Sequence, residues 1–284
     1  MDTETARTFV TVAEAGSFLA AAERLNVTQS TVSARIKNLE AQLGRRLLDR
    51  DRRGARPTAA GRQFLRHAAV LVRIWRQAQQ ELSLPETTTH VLGIGAQVSL
   101  WDGLLGEWIG WMRHRHPDIA LRTDVASADI LMRQVVDGTL DIAVVYTPQS
   151  APGLVIQPLF DEVLIMVTDQ PGYPPEPGVD YVFCDWGLEF RTSHAIAFPD
   201  ADAPVLTFGA GAMGLPYILR HGGAGYFPRR LAEPHIADGS LFVVAGAPIF
   251  QRPAFVVHPR QAATHPLHVA VEALLKLAPA TQGL

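Results

Sequence analysis

The chain has little cysteine and no long hydrophobic run. Cys184 is its only cysteine, so a disulfide cannot form within the chain and a reducing cytosol is the expected setting. No apolar run approaches the ~20 residues that span a membrane, and the acidic start Met1-Asp2-Thr3-Glu4 lacks the apolar core of a signal peptide. The sequence therefore predicts a soluble, cytoplasmic protein with no membrane partner.

Motifs of several enzyme classes are also missing. The sequence contains no P-loop, HExxH, paired CxxC or GxSxG motif. Cys184 and His194 could imitate a thiol nucleophile and its base. However, Cys184 ends the apolar run 181–183, and such a cysteine is more typical of a small buried hydrophobic residue. We expect no enzymatic activity, no cofactor and no catalytic or metal site.

Charge is distributed unevenly along a chain of globular composition. Hydrophobic residues make up 48% and charged residues 19% of the sequence, which argues against disorder. Residues 1–83 carry 14 basic and 8 acidic side chains, whereas residues 84–284 carry 11 and 20. A basic N-terminal module fits a polyanion, and the acidic remainder is better suited to sensing or assembly.

Residues 17–44 have the pattern of two short helices joined by a tight turn. Ser17 and Thr28 are good N-caps, and only Asn26 and Val27 separate the helices. Apolar residues of the second helix recur at steps of four, three and four, which predicts one buried stripe before Gly44 stops the helix. The stripe consists of Val32, Ile36, Leu39 and Leu43.

The opposite side of the second helix is polar or small. At ~100° per residue these side chains share an outward arc that could enter a DNA major groove. An ordinary helical hairpin with a solvated face is the alternative. The residues of this arc are Gln29, Ser30, Ser33, Ala34 and Lys37.

The charge of the following stretch favours DNA over the alternative. Residues 35–66 hold ten arginines or lysines and three acidic residues, a pattern typical of phosphate binding. Within this stretch, residues 50–57 combine four arginines with the turn-forming Gly54 and with Pro57. This composition predicts an exposed two-stranded wing that lies along the DNA backbone.

A long amphipathic helix is predicted after the wing, from a cap at Thr58 to about Leu82. Its heptad spacing favours pairing with a copy of itself in a second subunit; packing on its own domain is the alternative. The polar and Pro-containing residues 84–89 mark a domain boundary. The seam residues are Phe64, Ala68, Leu71, Trp75, Ala78 and Leu82.

The rest of the chain alternates strands and helices, which predicts a parallel sheet with right-handed crossovers. The first part reads as strand 90–95, helix 99–116, strand 119–125, helix 127–138 and strand 141–146. A longer strand region, 154–167, leads to a loop at 171–180. The second part reads as strands near 181–184, 205–208, 224–227, 241–244 and 254–258, with helices near 211–221 and 266–277.

Several of these residues together resemble the LysR-type transcriptional regulators of bacteria. The resemblance covers essentially the whole chain. Its N-terminal motifs are Phe18-x-x-Ala21-Ala22-x-x-Leu25, Thr28-Gln29-Ser30-x-Val32-Ser33-x-x-Ile36-x-x-Leu39-Glu40-x-x-Leu43-Gly44 and Leu47-Leu48-x-Arg50 leading to Pro57-Thr58-x-x-Gly61. Its C-terminal motifs are Gly138-x-Leu140-Asp141-Ile142-Ala143 and Gly222-Gly223-Ala224-Gly225-Tyr226-Phe227-Pro228.

The resemblance implies an α/β architecture with three parts. These are a winged helix-turn-helix DNA-binding domain (1–60), a dimerising linker helix and hinge (61–89), and a two-lobed domain similar to periplasmic binding proteins (90–284). The first lobe would comprise about 90–160 and 262–284, and the second about 161–261. The expected partners are double-stranded promoter DNA, a small-molecule effector and further copies in a homodimer or homotetramer, with RNA polymerase as a candidate. The alternative interpretations are a solute-binding transport protein without a DNA role and a regulator that binds no ligand.

The predicted DNA contacts include one departure from the family pattern. Many relatives have a basic residue directly after the position of Ser33, whereas here Ala34 stands there and Arg35 follows. Arg35 flanks the buried stripe, so a phosphate contact or an intramolecular bond is as consistent as a base contact. The full predicted set is Thr28, Gln29, Ser30, Thr31, Ser33, Ala34, Arg35, Lys37, Arg50, Arg52, Arg53 and Arg56.

The predicted ligand site follows from topology. In two-lobed α/β domains, ligands bind where strand ends and helix N-termini face the crevice, because free backbone N–H groups there attract anions. Each candidate could instead be a plain N-cap or loop residue. Arg191 and His194 are candidate charge partners for an acidic ligand. The predicted lining residues are Gln97, Ser99, Ser127, Tyr146, Thr147, Thr192, Ser193, Phe208 and Gly209.

Overall fold

A computed structural model describes residues 2–51, 54–85, 87–260 and 265–278. The chain forms two compact units, Met1–Glu86 and Thr87–Leu284. The helices and strands of the first unit are α1 (Thr3–Ala15), α2 (Phe18–Leu25), α3 (Gln29–Leu43), β1 (Leu48–Asp51), β2 (Gly54–Pro57) and α4 (Ala59–Glu81).

Side-chain caps set the starts of the two helices of the predicted helix-turn-helix. The Ser17 hydroxyl accepts a hydrogen bond from the amide of Ala20 at 3.3 Å, and the Thr28 hydroxyl accepts one from the amide of Thr31 at 3.2 Å. Each bond satisfies an amide that has no partner within the helix. The chain leaves the first three helices through residues with positive φ, namely Gly16, Asn26 and Gly44.

A shared core holds these helices together. The predicted stripe of α3 is buried at three of its four positions, but Leu43 is 44% exposed. The prediction for Leu43 is therefore wrong. Leu43 is the last residue of α3, so its side chain lies past the end of the core that the helices share. The buried residues include Phe9, Val12, Phe18, Ala21, Val32, Ile36 and Leu39.

The predicted wing is present and is fixed to the helices. Strands β1 and β2 pair in antiparallel fashion. The Glu40 carboxylate of α3 accepts hydrogen bonds from the amides of Leu47 at 2.7 Å and Leu48 at 3.1 Å. The Ala55 amide donates to the carbonyl of Gly16 at 2.7 Å. The wing is thereby tied both to α3 and to the turn that precedes α2.

The second unit is a two-lobed α/β structure. Its strands are β3 (His90–Ala96), β4 (Ile119–Val125), β5 (Ile142–Val145), β6 (Leu154–Thr168), β7 (Val182–Cys184), β8 (Leu206–Phe208), β9 (Ala224–Pro228), β10 (Phe242–Val243) and β11 (Phe250–Pro259). Its helices are α5 (Gly106–Arg115), α6 (Ala128–Val136), α7 (Leu188–Ala197), α8 (Gly214–His221), α9 (Arg229–Ala237) and α10 (His265–Leu277).

One curved sheet connects the two lobes. Its order is β10-β6-β11-β5-β3-β4, and β9 also pairs with β6. Strand β3 is parallel to β4 and β5, as the alternating pattern predicted. In β6, Phe160 packs in the core of the first lobe and Leu164 in the core of the second. In β11, Phe250 packs in the second lobe and Ala254 in the first. The chain thus returns to the first lobe within β11, earlier than the predicted position near residue 262.

The helix predicted at 99–116 begins only at Gly106. A 3₁₀ turn covers residues 98–100, and the segment Trp101–Leu105 is kinked, with non-helical backbone angles at Asp102 and Gly103. Apolar residues that recur every four positions along this stretch are nevertheless buried, since Leu100, Leu104, Trp108 and Met112 all belong to the core of the first lobe.

Two helices of the second lobe were not predicted. Helix α7 is ten residues long and buries Phe190 and His194. Its buried face therefore includes a histidine, which is a polar residue. Helix α9 contains Pro234 and buries only Ala232. Both helices lack a long apolar period, which is the signal that sequence reading depends on.

Candidate nucleic-acid interface and inter-lobe cleft

The outward face of α3 is open to solvent. Gln29, Ser30, Ala34 and Lys37 are exposed and Ser33 is half-buried. The side chains of Gln29, Ser33 and Lys37 form no hydrogen bond with the part of the chain that the structure describes. They are therefore free donors and acceptors on one helical face, the arrangement that major-groove readout requires.

Four other residues of the predicted DNA-binding set already have partners within the first unit. The Thr28 hydroxyl, besides its capping bond, lies 2.8 Å from the hydroxyls of both Ser30 and Thr31. The Arg35 guanidinium donates to the Thr8 hydroxyl at 3.1 Å and lies 3.6 Å from the Glu4 carboxylate. Arg35 thus joins α3 to α1. This is the intramolecular bond that was predicted as an alternative to a DNA contact.

The wing presents Arg56 to solvent. Ala55 is buried against the helices and Arg56, the next residue, is exposed, because successive side chains of a strand point to opposite faces. Gly54 has φ +127, and a Cβ there would stand 2.2 Å from the carbonyl oxygen of Gly16, so only glycine fits. The predictions for Arg52, Arg53 and the side chain of Arg50 fall outside the described residues.

A cleft of about 350 Å³ lies in the second unit and is lined by both lobes. Four of the predicted ligand-site residues line it, namely Gln97, Ser99, Ser127 and Gly209. Trp186, Asp185 and Arg252 also line it and were not predicted. No sequence signal marked Arg252, which lies outside the strand predicted near 254–258.

The other predicted lining residues lie elsewhere. Thr147, Thr192 and Ser193 are exposed and do not line the cleft, and the Thr192 hydroxyl donates to the carbonyl of Leu188 at 3.0 Å. Phe208 instead packs on Tyr217, with ring centroids 5.6 Å apart. Tyr146 is buried beneath the cleft.

A buried hydrogen-bond network forms the floor of the cleft. The Tyr146 hydroxyl donates to the Glu162 carboxylate at 2.9 Å and lies 3.2 Å from the Ser99 hydroxyl. Burial raises the pKa of Tyr146, which keeps the phenol protonated as a donor. The Gln97 side chain accepts from the Tyr146 amide at 3.0 Å.

Arg230 of the second lobe completes this network. Its guanidinium forms a buried ion pair with Glu162 at 2.8 Å and donates to the carbonyls of Ser99 and Asp102 in the first lobe. Burial alone would lower the pKa of Arg230, but the Glu162 carboxylate raises it overall. Ser99 is thus buried in a bonded 3₁₀ turn, and the expectation that it opens a helix toward an anion is wrong.

The predicted charge partners also have other roles. Burial lowers the pKa of His194 to about 4, so its imidazole is neutral near pH 7. Its Nε2 lies 2.8 Å from the Tyr181 hydroxyl. Arg191 donates to the Asp185 carboxylate at 2.7 Å. Burial raises the pKa of Cys184 to about 12, which leaves it a protonated, fully buried thiol rather than a nucleophile.

Neither a metal site nor a membrane span is evident where the structure describes the chain. No group of three or more His, Cys, Asp or Glu side chains among the described residues could hold a metal ion. None of the described helices is both long enough and apolar enough to cross a bilayer.

A winged helix-turn-helix unit followed by a two-lobed α/β unit defines a DNA-binding regulator with an effector domain. Residues 3–62 match the model of the bacterial regulatory helix-turn-helix protein, lysR family. Residues 86–280 match the LysR substrate binding domain. The chain belongs to the LysR family of transcriptional regulators, as its motifs predicted, and is therefore not a transport-type binding protein without a DNA role.

Individual relatives agree with this assignment. The chain is 29% identical over 281 residues to the HTH-type transcriptional regulator HdfR of Escherichia fergusonii, with 98% of each protein covered. It is 25% identical to the solved structure of ArgP from Mycobacterium tuberculosis, with a TM-score of 0.60 and coverage of 98% of this chain and 97% of that one. Full-length CbnR in complex with its target DNA has 19% identity, a TM-score of 0.71, and coverage of 99% of this chain and 100% of that one.

Proposed function

We propose that this regulator reads a specific promoter sequence with the outward face of α3. The observation that carries the proposal is the open row of Gln29, Ser33, Ala34 and Lys37 on the side opposite the buried stripe. Gln29 follows the capped start of the helix directly, and the N-terminal residues of a recognition helix are the ones that reach base edges. An amide side chain can form two hydrogen bonds with adenine.

The remaining members of the predicted set support this contact in different ways. Thr28 and Thr31 fix the start of α3, and Arg35 fixes the helix against α1 through Thr8. The wing arginines, Arg50, Arg52, Arg53 and Arg56, are proposed to contact phosphates, which set affinity and register but carry no base information. CbnR, which shares the fold, has been solved with its target DNA.

The proposed assembly is a homodimer, or a homotetramer built from such dimers, joined through α4. Leu71, Ile74 and Trp75 are exposed apolar side chains on that helix, and the exposed Leu82 follows its end directly. The proposed division of the chain is a DNA-binding domain at 1–60, a linker at 61–89 and an effector domain at 90–284. A small molecule in the inter-lobe cleft is proposed to modulate DNA binding, and RNA polymerase is the proposed partner at the promoter.

Competition binding on promoter and random DNA tests the base-reading role. Gln29→Ala should reduce the difference in binding free energy between specific and non-specific DNA by about 1–3 kcal/mol, because a base-edge contact is lost. Arg56→Ala is the matched control: it should weaken binding to both DNAs alike and flatten the salt dependence. Equal losses for Gln29→Ala on the two DNAs would rule out a base contact by this residue.

A further inference from the structure

Arg252 of β11 is a buried cation without an anionic partner. The residue is only 8% exposed, and its guanidinium forms no hydrogen bond or ion pair with any described residue. It stacks instead on the ring of Tyr146, with Cζ 3.6 Å from the ring centroid, and it lies 5.9 Å from the centroid of Trp186. Stacking attracts a cation but leaves the five N–H donors of an arginine unused.

The guanidinium faces the inter-lobe cleft. Arg252, Trp186 and Gly187 all line that cleft, and a Cβ added to Gly187 would lie 3.8 Å from Nη2 of Arg252. Its donors therefore lie at the surface of the cleft, where a bound molecule could reach them.

The other charges around the cleft are already compensated. The Glu162 carboxylate is paired with Arg230 at 2.8 Å, and the Asp185 carboxylate is paired with Arg191 at 2.7 Å. Glu189 also attracts Arg252 electrostatically, but it is exposed and forms no ion pair with it. Burial lowers the pKa of Arg252 in spite of the opposing attraction of Tyr146, Glu162, Glu189 and Asp185.

We infer that Arg252 is the anchor for the effector of this protein, and that the effector is a small organic monoanion whose single carboxylate pairs with the guanidinium. This inference rests on the proposed role of the cleft and adds the ligand class and the residue that selects it. One uncompensated guanidinium matches one carboxylate in a bidentate, charge-assisted pair. A second anionic group would find no free cation among the cleft residues described here.

The rest of the cleft indicates the nature of the ligand body. Val98, Val125, Ala126, Trp186, Ala210 and Ala212 contribute apolar surface. A volume of about 350 Å³ lies at the lower end of the range for small-molecule sites, ~300–1,000 Å³. Gln97, Ser127 and Asp185 add polar surface, so the ligand is compact and only partly apolar apart from its carboxylate.

The test uses the full-length chain and a panel of compact carboxylic acids with three to nine carbons. Each acid is compared with its primary amide, which is nearly isosteric but neutral, and with a dicarboxylate of the same skeleton. Dissociation constants are measured by calorimetry and by the tryptophan fluorescence of the second unit. The best monocarboxylate should bind about 10- to 100-fold more tightly than its amide, as expected for a charge-assisted hydrogen-bonded pair, and more tightly than its dicarboxylate.

Substitutions then assign this preference to one residue. In Arg252→Gln the acid should bind no more tightly than its amide, while the amide keeps its wild-type affinity, which also shows that the cleft is still folded. Arg252→Lys keeps the charge but not the bidentate geometry and should give an intermediate preference. Arg220→Gln, the same substitution at an exposed position of α8, should leave the preference unchanged.

Two kinds of failure are distinguishable. If amides or dicarboxylates bind as well as monocarboxylates, or if Arg252→Gln keeps the acid preference, the assignment of the anchor and ligand class is wrong while the cleft remains a binding site. If no member of the panel binds at 10 mM to a chain that still binds promoter DNA, both the ligand class and the effector role of the cleft are contradicted.

Discussion

His194 is an ionisable side chain enclosed by aromatic rings. Phe198 and Phe183 lie 4.9 and 5.1 Å from its ring, and its only described hydrogen-bond partner is the Tyr181 hydroxyl. No carboxylate among the described residues pairs with this imidazole, and burial lowers its pKa to about 4. His194 therefore functions as a neutral core residue of the second lobe.

This environment predicts acid sensitivity. The unfolded chain binds a proton at His194 near pH 6.5, whereas the folded chain binds it only near pH 4. The contribution of His194 is thus complete above pH 6.5 and declines as the pH falls from 6.5 toward 4, by ~2 kcal/mol at pH 5. Urea unfolding of the second unit at pH 7.5 and pH 5.0 should show this loss in the wild type. His194→Phe, which cannot bind a proton, should lose less stability over that interval; an equal loss in both proteins would contradict the prediction.

Residues whose role depends on neighbours in sequence were predictable, and residues whose role depends on distant contacts were not. The caps Ser17 and Thr28 act on amides three residues away, so sequence alone located them. Arg252 acquires its environment from Tyr146 and Trp186, which are far away in sequence. Its burial without an ion pair is a property of the fold, and no local pattern encodes it.

Helix α4 divides its apolar residues between two surfaces. Ala68 and Val72 are buried in the first unit, and Phe64 packs on Phe9 with ring centroids 5.3 Å apart. Leu71 and Trp75 are 42% and 49% exposed. Phe64 and Ala68 of the predicted seam thus pack on their own domain, which was the alternative interpretation. Leu71 and Trp75 remain exposed within the first unit.

Leu71→Asp should dissociate the dimer. A carboxylate without a partner is costly in an apolar interface, so the monomer should dominate at micromolar concentration in sedimentation velocity. Arg66→Asp is the control, since Arg66 is exposed and lies on the opposite face of the helix, about 180° around its axis from Trp75. If Leu71→Asp remains a folded dimer, the subunits meet through another surface.

The kinked segment 101–105 shows why a periodic pattern can mislead. Leu100, Leu104, Trp108 and Met112 repeat every four residues, which is typical of a continuous helix. Asp102 and Gly103 instead have non-helical backbone angles, and the carbonyls of Ser99 and Asp102 accept hydrogen bonds from Arg230. Arg230 belongs to the other lobe. A contact from a distant part of the chain thus accompanies a backbone that departs from the helix that the local pattern predicts.

At the scale of the whole molecule, the opposed charges of the two sequence halves fit a division of labour. The basic first 83 residues suit a polyanion, and the acidic remainder suits a role away from the phosphates. The architecture, the family and the parallel strands of the first lobe followed from the sequence because periodicity and motifs encode them. Helices α7 and α9 and the chemistry of the cleft did not, because contacts made only in the folded unit determine them.

Footprinting of the purified full-length chain on genomic DNA tests the central claim, sequence-specific promoter binding, most directly. A dimer that places one copy of α3 in each half-site should protect discrete sites with two-fold related half-sites, whose centres lie about 10–10.5 base pairs apart or at multiples of that spacing. The affinity for these sites should exceed that for random DNA by ~10³-fold or more at physiological salt. Uniform protection without an enriched sequence, or no protection at any salt concentration, would contradict the account.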